Sequence, residues 1–355
     1  MRIVHVNPFY YPFLGGIEHR IHHISRYLSE RHEVLVLTSR LPNTTPEEEM
    51  DGYLVRRLDS FFLNLYNPPY VHTSGLRKAL RELEPDVVDF HYRWAGSYTR
   101  AVAGHRGPKV LTWHNAFGEG EGSLGALSKL NDVIFSRQAK AFDMIVCVSD
   151  FVMRDLASRG FPMCKLSSVP NGVETVPHEG REEDFILFVG RLVKTKGLPY
   201  LIEAMRGVDS KLVVCGKGPE RERLESLTKK LGLEGKIEFL GGVDEERKQM
   251  LLSRCKIFVF PSVWESYGIA AAEAMSHGKP VIATNVGGLP EVVGDCGLLV
   301  PPRDERSLRD SIRALLTDDD LRRGLGRRAQ CLAETYTWRK AAEAMERAYE
   351  ELTRA

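Results

Sequence analysis

No stretch of the 355-residue chain approaches the ~20 consecutive apolar residues that a bilayer span requires. The opening Met1-Arg2-Ile3-Val4-His5-Val6-Asn7-Pro8 has the pattern of a strand running into a turn. It lacks the charged start, apolar middle and small-residue cleavage site of a signal peptide. A surplus of charge is missing too. With 49 basic and 48 acidic side chains, no global field draws in nucleic acid or an anionic membrane, so partners must be chosen locally. The six cysteines (Cys147, Cys164, Cys215, Cys255, Cys296, Cys331) include no Cys-x-x-Cys pair. They read as buried free thiols of a reducing cytoplasm, not as disulfide partners or zinc ligands. A cytoplasmic protein is therefore expected. One feature points to a peripheral contact at the inner face of the membrane, the apolar run Phe61-Phe62-Leu63-Asn64-Leu65-Tyr66 ahead of Asn67-Pro68-Pro69-Tyr70; packing of a loop on its own domain is the alternative.

What is present is a doubled α/β plan. The length exceeds what one core usually serves, and Val/Ile/Leu-rich runs alternate with amphipathic stretches, as in strand–helix–strand units around a parallel sheet. One series has strands near Arg2–Val6, Glu33–Leu37, Val87–Phe90, Lys109–Trp113, Met144–Val148 and Leu166–Val169. The hydrophilic stretch Glu174–Asp184 is the candidate linker. A second series follows at Phe185–Val189, Lys211–Val214, Lys236–Phe239, Ile257–Phe260, Pro280–Ala283 and Gly297–Val300, then charged helices from Glu305. The expected division is 1–176, an acceptor-side domain; 177–335, a donor-side domain; and 336–355, a C-terminal helix packing back toward the first domain. Two doubly wound Rossmann-like domains facing across a cleft would bind ligands at the C-terminal ends of their strands.

The unusual residues fall on those loops. Gly15-Gly16 precedes a helical pattern running to about Ser29, whose start offers free N–H groups and a positive dipole end to an anion. Gly190-Arg191-Leu192-Val193-Lys194-Thr195-Lys196-Gly197 follows a strand directly, and Arg191 and Lys196 could both reach a diphosphate. It is not a Walker loop. Gly216-Lys217-Gly218-Pro219-Glu220-Arg221 has Arg221 where a dinucleotide fingerprint needs glycine, so it suits a turn lining a nucleotide pocket.

The segment from Pro261 to Met275 carries Glu265 on a loop and Glu273 in an alanine-rich helix. Eight residues apart on a continuous helix, the two would lie ~12 Å apart along the axis. That exceeds the ~5 Å of a retaining glycosidase pair, so different jobs are expected. The amides of Tyr267, Gly268, Ile269 and Ala270 could receive phosphate or sugar oxygens. Thr284-Asn285-Val286-Gly287-Gly288-Leu289-Pro290-Glu291 repeats the strand, glycine pair and helix start. In the first half, Thr112-Trp113-His114-Asn115 ends a strand and points His114 toward the same cleft. Tyr10, Tyr11, His19, Arg20, His22, His23 and Arg26 form a basic, aromatic face that could meet an acceptor, or be a solvated face.

At these residues the sequence resembles the retaining glycosyltransferases of family 4, the "glycosyl transferases group 1" enzymes with the two-Rossmann-domain GT-B fold. The resemblance spans nearly the whole chain: the Gly15 turn, His114, Val148-Ser149, Asn171-Gly172-Val173, Gly190-Arg191 with Lys196-Gly197, Gly216-x-Gly218-Pro219, the pair Glu265 and Glu273, and Gly287 to Glu291. It implies a donor diphosphate held by Arg191, Lys196 and the Gly16 backbone, with Glu273 near the ribose and Glu265 and His114 on the transferred sugar. The catalytic set is then Glu265, His114, Arg191 and Lys196; Gly15, Gly16, Gly216, Tyr267, Gly268, Ile269, Ala270 and Glu273 join Arg191 and Lys196 in donor binding. No cofactor or metal is expected, because two cations and helix dipoles can stabilise the departing diphosphate. Many relatives carry Asp where this chain has Asn115. The expected reaction is sugar transfer from a UDP- or GDP-linked donor, GDP-mannose among them, to a hydroxyl acceptor such as a lipid-linked sugar or polysaccharide precursor. The rivals are a non-hydrolysing nucleotide-sugar epimerase and a catalytically silent nucleotide-sugar-binding protein.

Overall fold

A computed structural model describes residues 1–13, 15–63, 69–92, 95–114, 133–174 and 181–354. Asn115, part of the apolar run after Leu63 and most of the expected linker lie outside them. The chain divides into two compact units, Met1–Gly172 with Trp338–Ala355, and Val173–Thr337.

The first unit is built on an eight-stranded sheet in the order β10-β9-β8-β7-β1-β2-β4-β3. Its strands are β1 (Arg2–Val6), β2 (Glu33–Ser39), β3 (Glu47–Met50), β4 (Tyr53–Leu58), β7 (Val87–Phe90), β8 (Lys109–Trp113), β9 (Met144–Cys147) and β10 (Leu166–Ser168). All pairs are parallel except β3 with β4. Ile3, Val4, Val6, Val87, Val88 and Phe90 are fully buried, the apolar filling that a sheet covered on both faces needs, interrupted only by the equally buried His5 and Asp89 in these two strands. A separate antiparallel hairpin joins β5 (Ser60–Leu63) to β6 (Tyr70–Thr73). The apolar run is thus a strand at its start, and alternation turns Phe61 (62% exposed) and Leu63 (41%) to solvent.

The helices Gly16–Leu28 and Trp338–Arg354 pack on each other within this unit. Three members of the basic, aromatic face are withdrawn from any surface, whether acceptor-binding or solvated: Tyr10, Arg20 and His23 are buried, whereas Tyr11, His19 and His22 are half-buried and Arg26 is exposed. Arg20 donates to Asn171 Oδ1 at 2.7 Å and sits 3.5 Å from Met345 Sδ, while His23 stacks on Trp338 with centroids 4.8 Å apart. Tyr10 shares a 2.7 Å hydrogen bond with the Tyr53 hydroxyl.

The second unit carries a six-stranded, all-parallel sheet in the order β13-β12-β11-β14-β15-β16. Its strands are β11 (Phe185–Val189), β12 (Lys211–Cys215), β13 (Ile237–Gly241), β14 (Ile257–Phe260), β15 (Val281–Thr284) and β16 (Leu298–Val300). Both units are Rossmann-like. In each, strand order reverses beside the first strand, between β1 and β7 and between β11 and β14. Loops leaving the C-terminal ends of such a strand pair flank the place where this architecture binds ligands.

All six cysteines are free, but Cys164 and Cys331 are exposed, correcting the expectation of burial. Cys164 sits in the short turn Met163–Lys165 and Cys331 on the outer side of the helix Asp319–Ala333. Among the described residues, no helix is long and apolar enough to cross a membrane.

Candidate functional site

In the second unit the loops after β11 and β14 are tied together by backbone. The Val263 N–H donates to the Thr195 carbonyl at 2.8 Å. Gly197 has φ +67°, and a Cβ there would fall 1.9 Å from the Pro261 carbonyl oxygen, so only glycine allows the approach. The Lys196 ammonium forms an ion pair with the Glu265 carboxylate and lies 4.9 Å from the centre of the Phe260 ring. Both side chains are mostly buried, at 17% and 14% exposure. A low-dielectric setting strengthens such a pair, while removing one member leaves a charge without compensation. Arg191, in the same loop, is exposed and has no ion-pair partner among the described residues.

A third loop supports Glu265 from behind. The Gly288 N–H donates to the Glu265 carbonyl at 3.1 Å, and a Cβ on Gly287 (φ +58°) would meet that oxygen at 1.7 Å. The glycine pair after β15 therefore serves close backbone packing, and its Gly288 amide is engaged by protein. The helix carrying Glu273 begins at Ile269, after Gly268 at φ +103°. Glu265 is outside it, so a spacing along one continuous helix does not apply. Ala271 and Ala272 amides donate to the Gly268 carbonyl. Those of Ile269 and Ala270 are first-turn groups of the kind that lack an intrahelical acceptor. Tyr267 is buried beside them.

Glu273 has a partner that the sequence did not suggest. Lys248, from the helix Glu245–Arg254, lies 2.9 Å from its Oε1 and 3.0 Å from Glu245 Oε1. Burial pushes the Glu273 carboxyl above its ordinary range, against the pull of Lys248. Burial also works against the Lys248 ammonium, but the two carboxylates outweigh it and hold Lys248 above the usual lysine range. Gly216 lies farther along the sheet edge: its N–H donates to Gly241 at 2.7 Å, and its Cβ would fall 1.8 Å from the Gly190 carbonyl oxygen. Gly216 thereby sets the course of the loop that carries Arg191.

In the first unit, His114 sits at the end of β8, half-buried. Its Nε2 is 3.1 Å from His91 Nδ1, and His91 Nε2 is 3.0 Å from His5 Nδ1. Asp89 Oδ2 lies 3.8 Å from His5 Nδ1 and 3.6 Å from His91 Nε2. The Tyr349 hydroxyl donates to it at 2.6 Å, and Thr112 Oγ1 donates to Asp89 Oδ1 at 2.8 Å. Burial drives His5 down to about 3, with the Arg20 cation adding to the effect, and holds His91 and His114 well below the usual histidine range. Burial raises Asp89 to about 7 in spite of its hydroxyl donors. His5, Asp89 and His91 place one metal-ligand-type atom each within 4.8 Å of one another, though these atoms already engage each other and the two hydroxyls. His5, His91, Asp89 and Tyr349 were missed from sequence. A carboxylate inside the apolar strand Val87–Phe90 was the available signal.

Gly15 and Gly16 open the first helix and are exposed. A Cβ on Gly15 would lie 2.5 Å from Glu18 Oε2, whereas one on Gly16 meets nothing within 4 Å. Buried Glu18, which accepts from Asn7 Nδ2 at 3.0 Å, places a carboxyl group in this first turn. The first unit thus brings His114 together with buried partners; the second brings Lys196, Glu265 and the Ile269 helix start together at its switch point.

The sequence profile of Glycosyltransferase Family 4 matches residues 14–176, and that of Glycosyl transferases group 1 matches residues 176–331. An uncharacterized glycosyltransferase of Methanocaldococcus jannaschii is 28% identical, the match covering 97% of each chain. Phosphatidyl-myo-inositol mannosyltransferase of Mycolicibacterium smegmatis is 28% identical over 100% of this chain and 95% of that one. The crystal structure of Anabaena HepE in complex with UDP-glucose superimposes with a TM-score of 0.80 at 19% identity, covering 99% of this chain and 100% of that one. The two profiles between them span nearly the whole chain, and with the shared fold they settle the matter: it belongs to the family 4 glycosyltransferases of GT-B fold.

Proposed function

We propose that this glycosyltransferase moves a sugar, with retention of anomeric configuration and without a metal ion, from a UDP- or GDP-linked donor to a hydroxyl acceptor. The observation that carries the reading is the Lys196–Glu265 pair at the β11/β14 switch point, with exposed Arg191 on the same loop. An arriving diphosphate offers Lys196 a stronger anionic partner and gives the Arg191 fork a bidentate one. Glu265 is thereby released to hydrogen-bond the hydroxyls of the transferred sugar. The Ile269 and Ala270 amides add positive dipole at the phosphate, and Glu273 accepts from the ribose hydroxyls. From the first unit, His114 acts on the transferred sugar and the Gly15–Gly16 turn on the diphosphate. As the bond to the sugar breaks, charge grows on the leaving phosphate, where fixed cations stabilise it most. The acceptor hydroxyl attacks from the leaving-group face and passes its proton to that phosphate.

The structure of Anabaena HepE with UDP-glucose supports a UDP-linked donor, and the mycobacterial phosphatidylinositol mannosyltransferase supports a mannosyl donor and a lipid-linked acceptor. Exposed Phe61 and Leu63 favour an acceptor borne on a membrane. The test is a thermal-shift screen with UDP, GDP and ADP, followed by donor consumption with and without EDTA. Stabilisation by one nucleotide and EDTA-resistant turnover with an α-linked product from an α-linked donor are expected. Failure of every nucleotide to raise the melting temperature would overturn the reading.

A further inference from the structure

The chain His114–His91–His5 runs from half-buried His114 inward to two buried rings. Neutral imidazoles in a row share their protons in one of two orders. In the first, His114 Nε2–H donates to His91 and His91 Nε2–H donates to His5 Nδ1, so His5 must carry its own proton on Nε2. That nitrogen is buried without a hydrogen-bond partner among the described residues. In the second, His5 Nδ1–H donates to His91 Nε2 and His91 Nδ1–H donates to His114 Nε2. His5 Nε2 then keeps only a bare lone pair, and a buried N–H without an acceptor is the rarer and costlier defect. Asp89, 3.6–3.8 Å from the two facing nitrogens, favours a proton between His5 and His91 in either order. The unpartnered Nε2 therefore decides the direction.

We propose that His91, backed by His5 and Asp89, is a positioning residue that holds His114 as the neutral Nδ1–H tautomer, so that His114 presents an N–H donor to the transferred sugar. The proposal rests on the reading of His114 as a sugar-facing group. Burial and the Arg20 cation, which disfavour protonation of all three rings, keep the chain neutral. The N–H so presented suits an oxygen that gains negative character in the transition state, and a ring locked by a fixed neighbour loses no orientation when it acts.

The test uses the whole 355-residue chain labelled with ¹⁵N-histidine and its His91→Asn and His91→Gln variants. Asparagine can place its amide N–H where His91 Nδ1 sits; glutamine reaches toward the Nε2 position and abandons His114. Expected are a protonated Nδ1 and bare Nε2 for His114 in the wild type and His91→Asn, and loss of that pattern in His91→Gln. With whichever of UDP-glucose, UDP-N-acetylglucosamine and GDP-mannose the wild type consumes, His91→Gln should lower kcat about tenfold with donor KM within about twofold, while His91→Asn largely restores kcat. A wild-type His114 protonated on Nε2, unchanged kcat in His91→Gln, or stoichiometric zinc in the purified protein would each overturn the proposal. Failure of the wild type on all three donors would count against the proposed function, while the spectrum still decides the proton order.

Discussion

Lys196 closes an ion pair on Glu265 across 69 residues of sequence, joining the loops that leave two adjacent parallel strands. The pair implies competition: a diphosphate and Glu265 cannot both be the chief partner of one ammonium. Glu265→Gln frees Lys196, so UDP or GDP should bind at least as tightly as to the wild type while turnover falls at least 100-fold. Lys196→Ala should weaken nucleotide binding about 10- to 100-fold, the worth of one charge-assisted contact. Calorimetric Kd and kcat for both variants check this; a Glu265→Gln enzyme that turned over normally would refute it.

Lys248 is the counter-ion of Glu273, and both side chains are mostly buried, at 16% and 12% exposure. Lys248→Met strands the carboxylate and should destabilise the second unit by about 2–3 kcal/mol, somewhat under the range for a fully buried pair. The double change Lys248→Met with Glu273→Leu should recover most of that loss, because no unpaired charge remains. Urea midpoints of the single and double variants decide it.

Much of this arrangement was legible in the sequence because parallel strands buried on both faces are apolar runs of fixed length, and β1, β7, β8, β11 and β14 read off as such. What escaped notice shows where that signal ends. Strands β3 and β4 carry Glu47, Glu48, Glu49, Arg56 and Arg57, and the pairs Arg56–Glu47 and Arg57–Glu48 supply across the ladder what hydrophobicity does not. Lys248 was invisible because one lysine on a charged helix has no mark of burial. His5 and His91 stand 86 residues apart, and only the pairing of β1 with β7 brings them together. Glu265 and Glu273 were found, but their separation was judged from a helix that begins only at Ile269.

Glycine substitutions should separate backbone packing from ligand approach. At Gly287 (φ +58°) a methyl group would collide with the Glu265 carbonyl oxygen, a backbone atom with little freedom to yield. Gly287→Ala should therefore cost at least 1–2 kcal/mol and displace Glu265, lowering kcat severely. Gly16 has open space around a new Cβ, so Gly16→Ala should leave folding stability within about 0.5 kcal/mol of the wild type. If the Gly16 backbone approaches the diphosphate, the same change weakens nucleotide binding. Melting curves with and without UDP distinguish the outcomes.

The buried histidines also predict how stability depends on pH. In the unfolded chain each histidine takes a proton below about pH 6.5, whereas in the folded protein His5 does so only near 3 and His91 and His114 also stay neutral. Their contribution is present above pH 6.5 and is lost as the pH falls. Asp89 acts in the opposite sense: raised to about 7, it adds stability that is complete below about pH 4 and is lost as the pH rises toward 7. Three protons taken up only by the unfolded state outweigh one held only by the folded state. At about 1.4 kcal/mol per proton per pH unit, the net loss between pH 6 and 5 is about 2 kcal/mol. Asp89→Asn removes the opposing proton and should make the slope about half again as steep, measured as urea midpoints at pH 7, 6 and 5. In Asp89→Asn, a profile flat over that interval would mean that the three rings are charged in the folded protein, and their shared protons could not then be ordered as a neutral chain.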